Sequence, residues 1–238
     1  MSNKEIESKL RIFSIDSLRE VINGSNKVFL CQMSGKDKEN LLSIYKPIQG
    51  ERPLSDFFIG NLSSRELASY EISKHFGWPN LPPLIIRDGP FGLGSFQKYI
   101  DHDPKKNYFN LFNDYQKDLS LIMIFDSIIH NTDRKAGSII LGKKNKIWAI
   151  DQALTFNPHT RLRTVMFEFN KMKIQKNILL QIENFVFELE SKKNIFCKLS
   201  NLISNEEIVN LIERSKILLK NKKIAELDPY SNVPYPLV

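Results

Sequence analysis

Two carboxylates, Asp133 and Asp151, are the residues whose types and surroundings most suggest chemistry. They lie in one stretch from Leu119 to Phe156, LSLIMIFDSIIHNTDRKAGSIILGKKNKIWAIDQALTF. Its first twelve residues are apolar almost all round, broken only by Ser120, Asp126, Ser127 and His130, which predicts a helix buried in a core. A polar loop, Asn131 to Ser138, follows. Ile139-Ile140-Leu141 and Ile147-Trp148-Ala149-Ile150 are then two β-favouring runs joined by Gly142-Lys143-Lys144-Asn145-Lys146, which predicts a hairpin. Paired strands lie about 5 Å apart. The loop before the first strand and the residue after the second therefore emerge at the same end, and Asp133 meets Asp151. Two carboxylates at one sheet end suit metal binding or phosphate transfer.

This order of helix, loop, hairpin and Asp resembles the centre of protein-kinase-like enzymes. There a catalytic-loop Asp orients or deprotonates the acceptor hydroxyl and a second Asp past a hairpin holds Mg²⁺. Asp133-Arg134 resembles the catalytic-loop Asp-Arg of phosphatidylinositol 3- and 4-kinases, and Ile150-Asp151 resembles their metal-binding Asp. The sequence as a whole resembles a short bacterial family grouped with those lipid kinases and is more distantly similar to HipA-type kinases. The resemblance spans Gly24 to Phe169 and rests on the order of its features.

The resemblance assigns the elements ahead of that stretch. Ile15 to Ile22 has a helical pattern, broken at Asn23-Gly24-Ser25-Asn26. Lys27 to Met33 and Leu41 to Lys46 are expected to pair as strands across a polar turn. Gly24, Ser25 and Asn26 occupy the place of the loop whose backbone N–H groups cover the nucleotide phosphates. Lys46, followed by Pro47, resembles the Lys-Pro whose ammonium pairs the α- and β-phosphates. Such a lysine needs a carboxylate partner. Glu66 offers one, from a helix that would pack on the sheet and that Ser63 and Glu66 would cap as a capping box. Gly50 to Phe57 reads as an ordered loop at the cleft mouth, in which Glu51 could add a carboxylate near Lys46.

Leu81 to Arg87 and Ser95 to Ile100 are strands around a glycine-dense turn. Gly92-x-Gly94 is not a dinucleotide fingerprint, because it lies between two strands and not between a strand and a helix. Phe96 to Ile100 corresponds to the last strand and hinge, where backbone groups of Gln97, Tyr99 and Ile100 would meet adenine. Asp101-His102-Asp103-Pro104 marks the lobe boundary, with His102 read as solvated. Beyond Phe156, helices are expected at Arg161 to Asn170, Lys176 to Glu190 and Glu206 to Leu219, the last with Ser204 and Glu207 as a capping box. The tail from Asp228 to Val238 is expected to be extended on the surface.

One departure from the lipid-kinase pattern concerns Ser138. It stands where those enzymes place a second metal-binding Asn, and a hydroxyl is a weaker Mg²⁺ ligand than a carboxylate or amide oxygen. Either a single metal suffices or transfer is slow. The segment after Asp151 is short, and only Arg161 and Arg163 are basic enough there for a lipid headgroup.

Composition sets outer bounds. The 238 residues, 42% of them hydrophobic, suffice for one two-lobed domain, with an N-lobe over 1–101 and a C-lobe over 102–238. No run approaches the ~20 apolar residues of a membrane helix and no secretory signal opens the chain, so a cytoplasmic location is expected. Cys31 and Cys197 are read as reduced thiols, and two cysteines without clustered histidines make no zinc site. The net charge of +7 is concentrated between Lys171 and Lys223, where Lys alternates with Glu and Asn as on a solvated face and nucleic acid is not expected as a partner. The expected fold is α+β, a two-lobed protein-kinase-like fold with a small antiparallel sheet and one helix in the N-lobe and a mostly helical C-lobe. The expected ligands are ATP and Mg²⁺, with an acceptor hydroxyl on a protein, lipid or small molecule. A catalytically weak or dead nucleotide-binding module and an AMP-transferring enzyme are the alternatives.

Overall fold

Alternating burial along Phe29–Ser34 and Asn40–Pro47, beside the continuously buried Gly94 to Gln97, builds the sheet that carries Lys46. The computed structural model describes residues 1–21, 27–36, 39–51 and 62–238. Within them, β1 (Ser14–Glu20), β2 (Phe29–Ser34), β3 (Asn40–Pro47), β4 (Leu84–Gly89) and β5 (Gly92–Lys98) form one antiparallel sheet in the order β1-β2-β3-β5-β4. Helix α1 (Asn3–Ile12) lays Ile6 and Leu10 on one face of this sheet. There they join Phe29, Cys31, Met33, Leu41, Tyr45, Ile85 and Phe96 in a core of their own. Helix α2 (Leu62–Phe76) joins a second, larger core with the helical part: α3 (Tyr108–Leu111), α4 (Gln116–Ile129), α5 (Lys176–Glu190), α6 (Asn194–Leu199) and α7 (Asn205–Asn221). The hairpin of β6 (Ile139–Gly142) and β7 (Lys146–Ala149) pairs Ile139 with Ala149 at its open end. Among the described residues, no helix is long and apolar enough to cross a membrane.

Three local expectations are corrected. Ile15 to Glu20 is strand rather than helix, while the helix lies earlier, at α1. Ile15 and Leu18 show a helical i, i+3 spacing, but the register of β1 on β2 shifts between Ile15 and Ser17. That irregularity lets residues an odd number apart pack on the same core, which is where both side chains lie. Arg161 to Asn170 is not a helix. Its backbone pairs with the loop after α4, Arg163 N–H donating to Asn131 O (3.2 Å) and Val165 N–H to Arg134 O (3.1 Å), and only a 3₁₀ turn forms at Phe167–Phe169. Ser63 and Glu66 do not form a capping box. The Leu62 and Ser63 N–H groups donate instead to the two oxygens of Glu51, each at 3.3 Å, so Glu51 covers the helix start. Burial, foremost, raises the Glu51 carboxyl above its ordinary value.

One glycine is fixed by close approach. A Cβ on Gly94 would stand 2.3 Å from the Lys46 carbonyl oxygen, so only glycine lets β5 lie this close to the strand of Lys46.

Candidate active site

Lys46 joins the two parts of the molecule. Its ammonium lies 2.8 Å from Glu66 Oε1 on α2 and 2.9 Å from Asp151 Oδ1 past the hairpin. Glu66 is buried, and its other oxygen accepts from Ser95 Oγ on β5 (3.1 Å), which orients it toward the sheet. Burial alone would lower the Lys46 pKa. The Asp151 and Glu66 carboxylates outweigh it, so the ammonium is held above its ordinary value and stays charged.

Asp151 is placed by its backbone and by Arg134. It adopts the left-handed conformation, φ 60°, which aspartate tolerates better than most residues. Its side chain is 57% exposed, so it is water-accessible while its Oδ1 lies 2.9 Å from Lys46 Nζ. The Lys46 charge, above all, holds its carboxyl below the ordinary value.

Arg134 is fully buried and all five of its N–H groups meet acceptors. Nε and Nη2 grip Asp126 of α4 at 2.7 and 2.9 Å, and Nη2 also reaches Gln152 Oε1 at 2.7 Å. Nη1 donates to Ser138 O (3.3 Å) and Ile150 O (2.9 Å). One guanidinium therefore ties the buried helix and the loop after it to the residues that flank the open end of the hairpin, Ser138 and Ile150. Asn131 extends the network, donating to Asp126 Oδ1 and Gln152 Oε1 (3.2 Å each) while its own oxygen accepts the Asp133 N–H (3.0 Å).

Asp133 sits beside Lys135, whose Nζ is 3.1 Å from its Oδ2. Burial is the main cause that raises the Asp133 carboxyl above its ordinary value. Lys135 and Arg163 oppose that rise and the Asp151 charge adds to it. The mutual influence of the two aspartates agrees with the hairpin geometry expected to bring them to one end. The loop is held from outside by the C-terminal tail, since Ala136 N–H donates to Leu237 O (2.8 Å) and Thr164 N–H to Asn232 O (2.8 Å).

The remaining expected residues fall as follows. Ser138 is buried at the end of the loop before β6, with its carbonyl accepting from Ile150 N–H (2.9 Å). Gln97 is buried in β5, between Ile44 and Leu84 of its neighbours. Tyr99 N–H donates to Leu42 O (2.9 Å), and Ile100 O lies 2.7 Å from His102 Nδ1, so both of these hinge groups already have protein partners. His102, expected to be solvated, is half-buried and bridges to Gly142 of the hairpin. Gly24, Ser25 and Asn26 lie outside the described residues, as does 52–57 of the loop after Lys46. Asp126, Asn131 and Gln152 were not among the expected site residues. The signal for Asp126 was there, a carboxylate interrupting an otherwise apolar helix.

A metal here would be held by few protein oxygens. Among the described residues no group of three or more His, Cys, Asp or Glu could cage a cation. Asp151 offers one accessible carboxylate beside Lys46, and the Ser138 hydroxyl lies in the same loop as Asp133. That donor set fits Mg²⁺, which keeps several waters and takes one or two carboxylates plus substrate phosphates.

No protein-family model matches the chain. It is 29% identical to Protein Rv2133c of Mycobacterium tuberculosis, over an alignment covering 92% of this chain and 90% of that one. Among solved structures, a Golgi casein kinase superposes with a TM-score of 0.58 at 11% identity, covering 92% of this chain and 75% of the other. A structure of the Golgi casein kinase with Mn/ADP bound gives 0.55 at 11% identity, with the same coverage. The Helicobacter pylori proinflammatory kinase CtkA gives 0.51 at 10% identity, covering 89% of this chain and 93% of that one. The five-stranded sheet, the buried helix, the hairpin and the helical part thus make up a protein-kinase-like fold.

Proposed function

We propose that the chain is an ATP-dependent phosphotransferase that holds Mg²⁺–ATP in the cleft between the sheet and the helical part, with the lobes meeting at Asp101 and His102. The observation that carries this reading is Lys46, bonded at once to Glu66 and Asp151 within a kinase-like fold. The Mn/ADP in the Golgi casein kinase structure supports a nucleotide and a divalent cation in the matching cleft. Bound Mg²⁺–ATP supplies the γ-phosphoryl group and screens the charge that develops on its oxygens.

The chain's own residues position the reactants and take up the acceptor's proton. Lys46 pairs the α- and β-phosphates and Glu66 keeps its ammonium aimed into the cleft. Asp151 is the carboxylate for Mg²⁺, with Ser138 at the second-metal position. The hinge at Tyr99 and Ile100 lines the adenine side by position, since the Tyr99 N–H and the Ile100 oxygen are already engaged by Leu42 and His102. Asp133 accepts the proton of the acceptor hydroxyl as that oxygen bonds to phosphorus and the bond to the β-phosphate breaks. Its raised pKa makes it a better base than an ordinary aspartate. Arg134 does not touch substrate in this scheme. It holds Asp133 and Asp151 at one end of the hairpin. The Asp133-Arg134 and Lys46-Pro47 pairs, which resemble those of phosphatidylinositol 3- and 4-kinases, favour that type for the proposed phosphotransferase.

Ser138 favours a second reading, a module that binds the nucleotide and turns it over little or not at all. Incubation with ATP labelled at the γ or the α phosphate separates these possibilities. Transfer of γ label with release of ADP supports the phosphotransferase. Transfer of α label means AMP transfer, and binding without either product supports the non-catalytic module.

A further inference from the structure

Helix α2, which carries Glu66, is fastened to the helical part along its length. At its C-terminal end Phe76 stacks on Trp78 (4.7 Å between ring centres) and packs on Phe185 of α5 (4.8 Å), while Trp78 Nε1 donates to Gln181 Oε1 of α5. Further back, Glu71 accepts from Lys198 of α6 at 2.5 Å. Arg65, next to Glu66, is buried at 2% exposure. Its Nη1 donates to Thr155 O (2.5 Å), in the segment after Asp151, and its Nη2 pairs with Glu207 Oε1 of α7 (2.5 Å). Glu207 divides its carboxylate, because Oε2 accepts the Ser204 N–H (2.8 Å) that caps α7. One turn along α2, Ser69 Oγ lies 3.4 Å from Thr155 Oγ1 and 3.5 Å from Gln152 O.

Successive helical residues point about 100° apart. Glu66 therefore faces the sheet and Lys46 while Arg65 faces α7 and the post-Asp151 segment. A rotation or slide of α2 that released one would release the other. Without the Arg65 bridge, the half of α2 bearing Glu66 would keep only Glu51 at its start and the longer Ser69 contacts to Thr155 and Gln152, a looser hold than the ring contacts give the end at Phe76.

We propose that Arg65 and Glu207 are positioning residues that hold α2 where Glu66 meets Lys46. The cleft ion pair is then set by a buried bridge that runs from α2 to α7 and also holds Thr155 in the segment after Asp151. The catalytic part of this proposal rests on the phosphotransfer reading above.

The test compares Glu207→Gln and Arg65→Lys with wild type in the full chain. Hydrogen–deuterium exchange of nucleotide-free protein reads the helix directly. The peptide from Leu62 to Ser69 should exchange faster in both variants, while α5 keeps its wild-type protection. Transfer from Mg²⁺–ATP reads the coupling. Glu207→Gln should lower kcat by about tenfold beside wild-type Glu66 and by less than about twofold beside Glu66→Gln, since residues acting through one network are not additive. Unchanged exchange at Leu62 to Ser69 in both variants overturns the proposal. So does equal loosening of α5, which would make the bridge a general stabiliser, or an equal fold-loss of kcat in both backgrounds. If wild type transfers nothing, the phosphotransfer reading fails while the exchange result alone decides the anchoring.

Discussion

Asp126→Asn should destabilise the whole molecule although Asp126 lies behind the proposed centre. The Arg134–Asp126 pair is completely buried, both side chains at 0% exposure. Asparagine keeps the shape but removes the charge, and its amide can turn N–H groups toward the guanidinium's own donors. Removing one partner of a buried ion pair costs about 3–5 kcal/mol, because the other charge is left without compensation. For a domain of this size each kcal/mol moves Tm by about 2–4 °C, so the midpoint should fall by about 6–20 °C. A far-UV circular dichroism melt measures this directly. Arg134→Met with Asp126→Leu should recover most of that stability, since replacing both charges with apolar groups of similar volume is often neutral. The double variant should not transfer phosphate, because methionine cannot hold Ser138 O, Ile150 O and Gln152. A midpoint for Asp126→Asn within about 2 °C of wild type, less than 1 kcal/mol on the same scale, would refute the view of Arg134 as a buried, charge-paired tie.

Further outcomes follow from the same geometry. Asp133→Asn should keep nucleotide and metal affinity and lose transfer, whereas Asp151→Asn should weaken Mg²⁺-dependent nucleotide binding as well. Calorimetric titration with Mg²⁺–ATP distinguishes them, and equal loss of affinity would make both aspartates metal ligands. Burial, with Asp151, raises the Asp133 carboxyl while Lys135 lowers it. A base must be ionised to act, so kcat should fall on the acid side at a higher pH than an ordinary aspartate gives. Lys135→Met removes the lowering charge and should move that limb to still higher pH. A limb that stays put or moves down shows that another group titrates. Gly94→Ala would set a Cβ 2.3 Å from Lys46 O. It should displace β3 and cut nucleotide affinity, and unchanged affinity would mean that the position of Lys46 tolerates the shift.

The centre of the molecule was legible because its signals are local. The apolar run of α4, the Gly-Lys-Lys-Asn connection and the β-favouring runs around it predict α4, β6 and β7 within a few residues, and Lys46-Pro47 marks the end of β3. What could not be read depends on distant partners. β1 was missed because the register shift near Ser17 disguises a strand spacing as a helical one. Arg161 to Asn170 prefers ladder bonds to the loop after α4 over its own helical tendency. Ser204 and Glu207 were read correctly as a capping box, but the second oxygen of Glu207 serves Arg65, far away in sequence. Glu66 was correctly paired with Lys46 and wrongly given a capping role, since that work falls to Glu51, eleven positions ahead of the helix's first residue.

The measurement that bears most directly on the central claim is product analysis with γ-labelled ATP and Mg²⁺, run beside Lys46→Met. Lys46 is 22% exposed but its partner Glu66 is buried, so Lys46→Met should lower the melting midpoint by several degrees while the fold persists, with Ser95 Oγ still donating to Glu66. Wild type should release ADP and pass the label to an acceptor or, slowly, to water, and Lys46→Met should do neither. No nucleotide-dependent shift in Tm and no ADP from wild type at millimolar ATP, or full activity in Lys46→Met, would contradict the account.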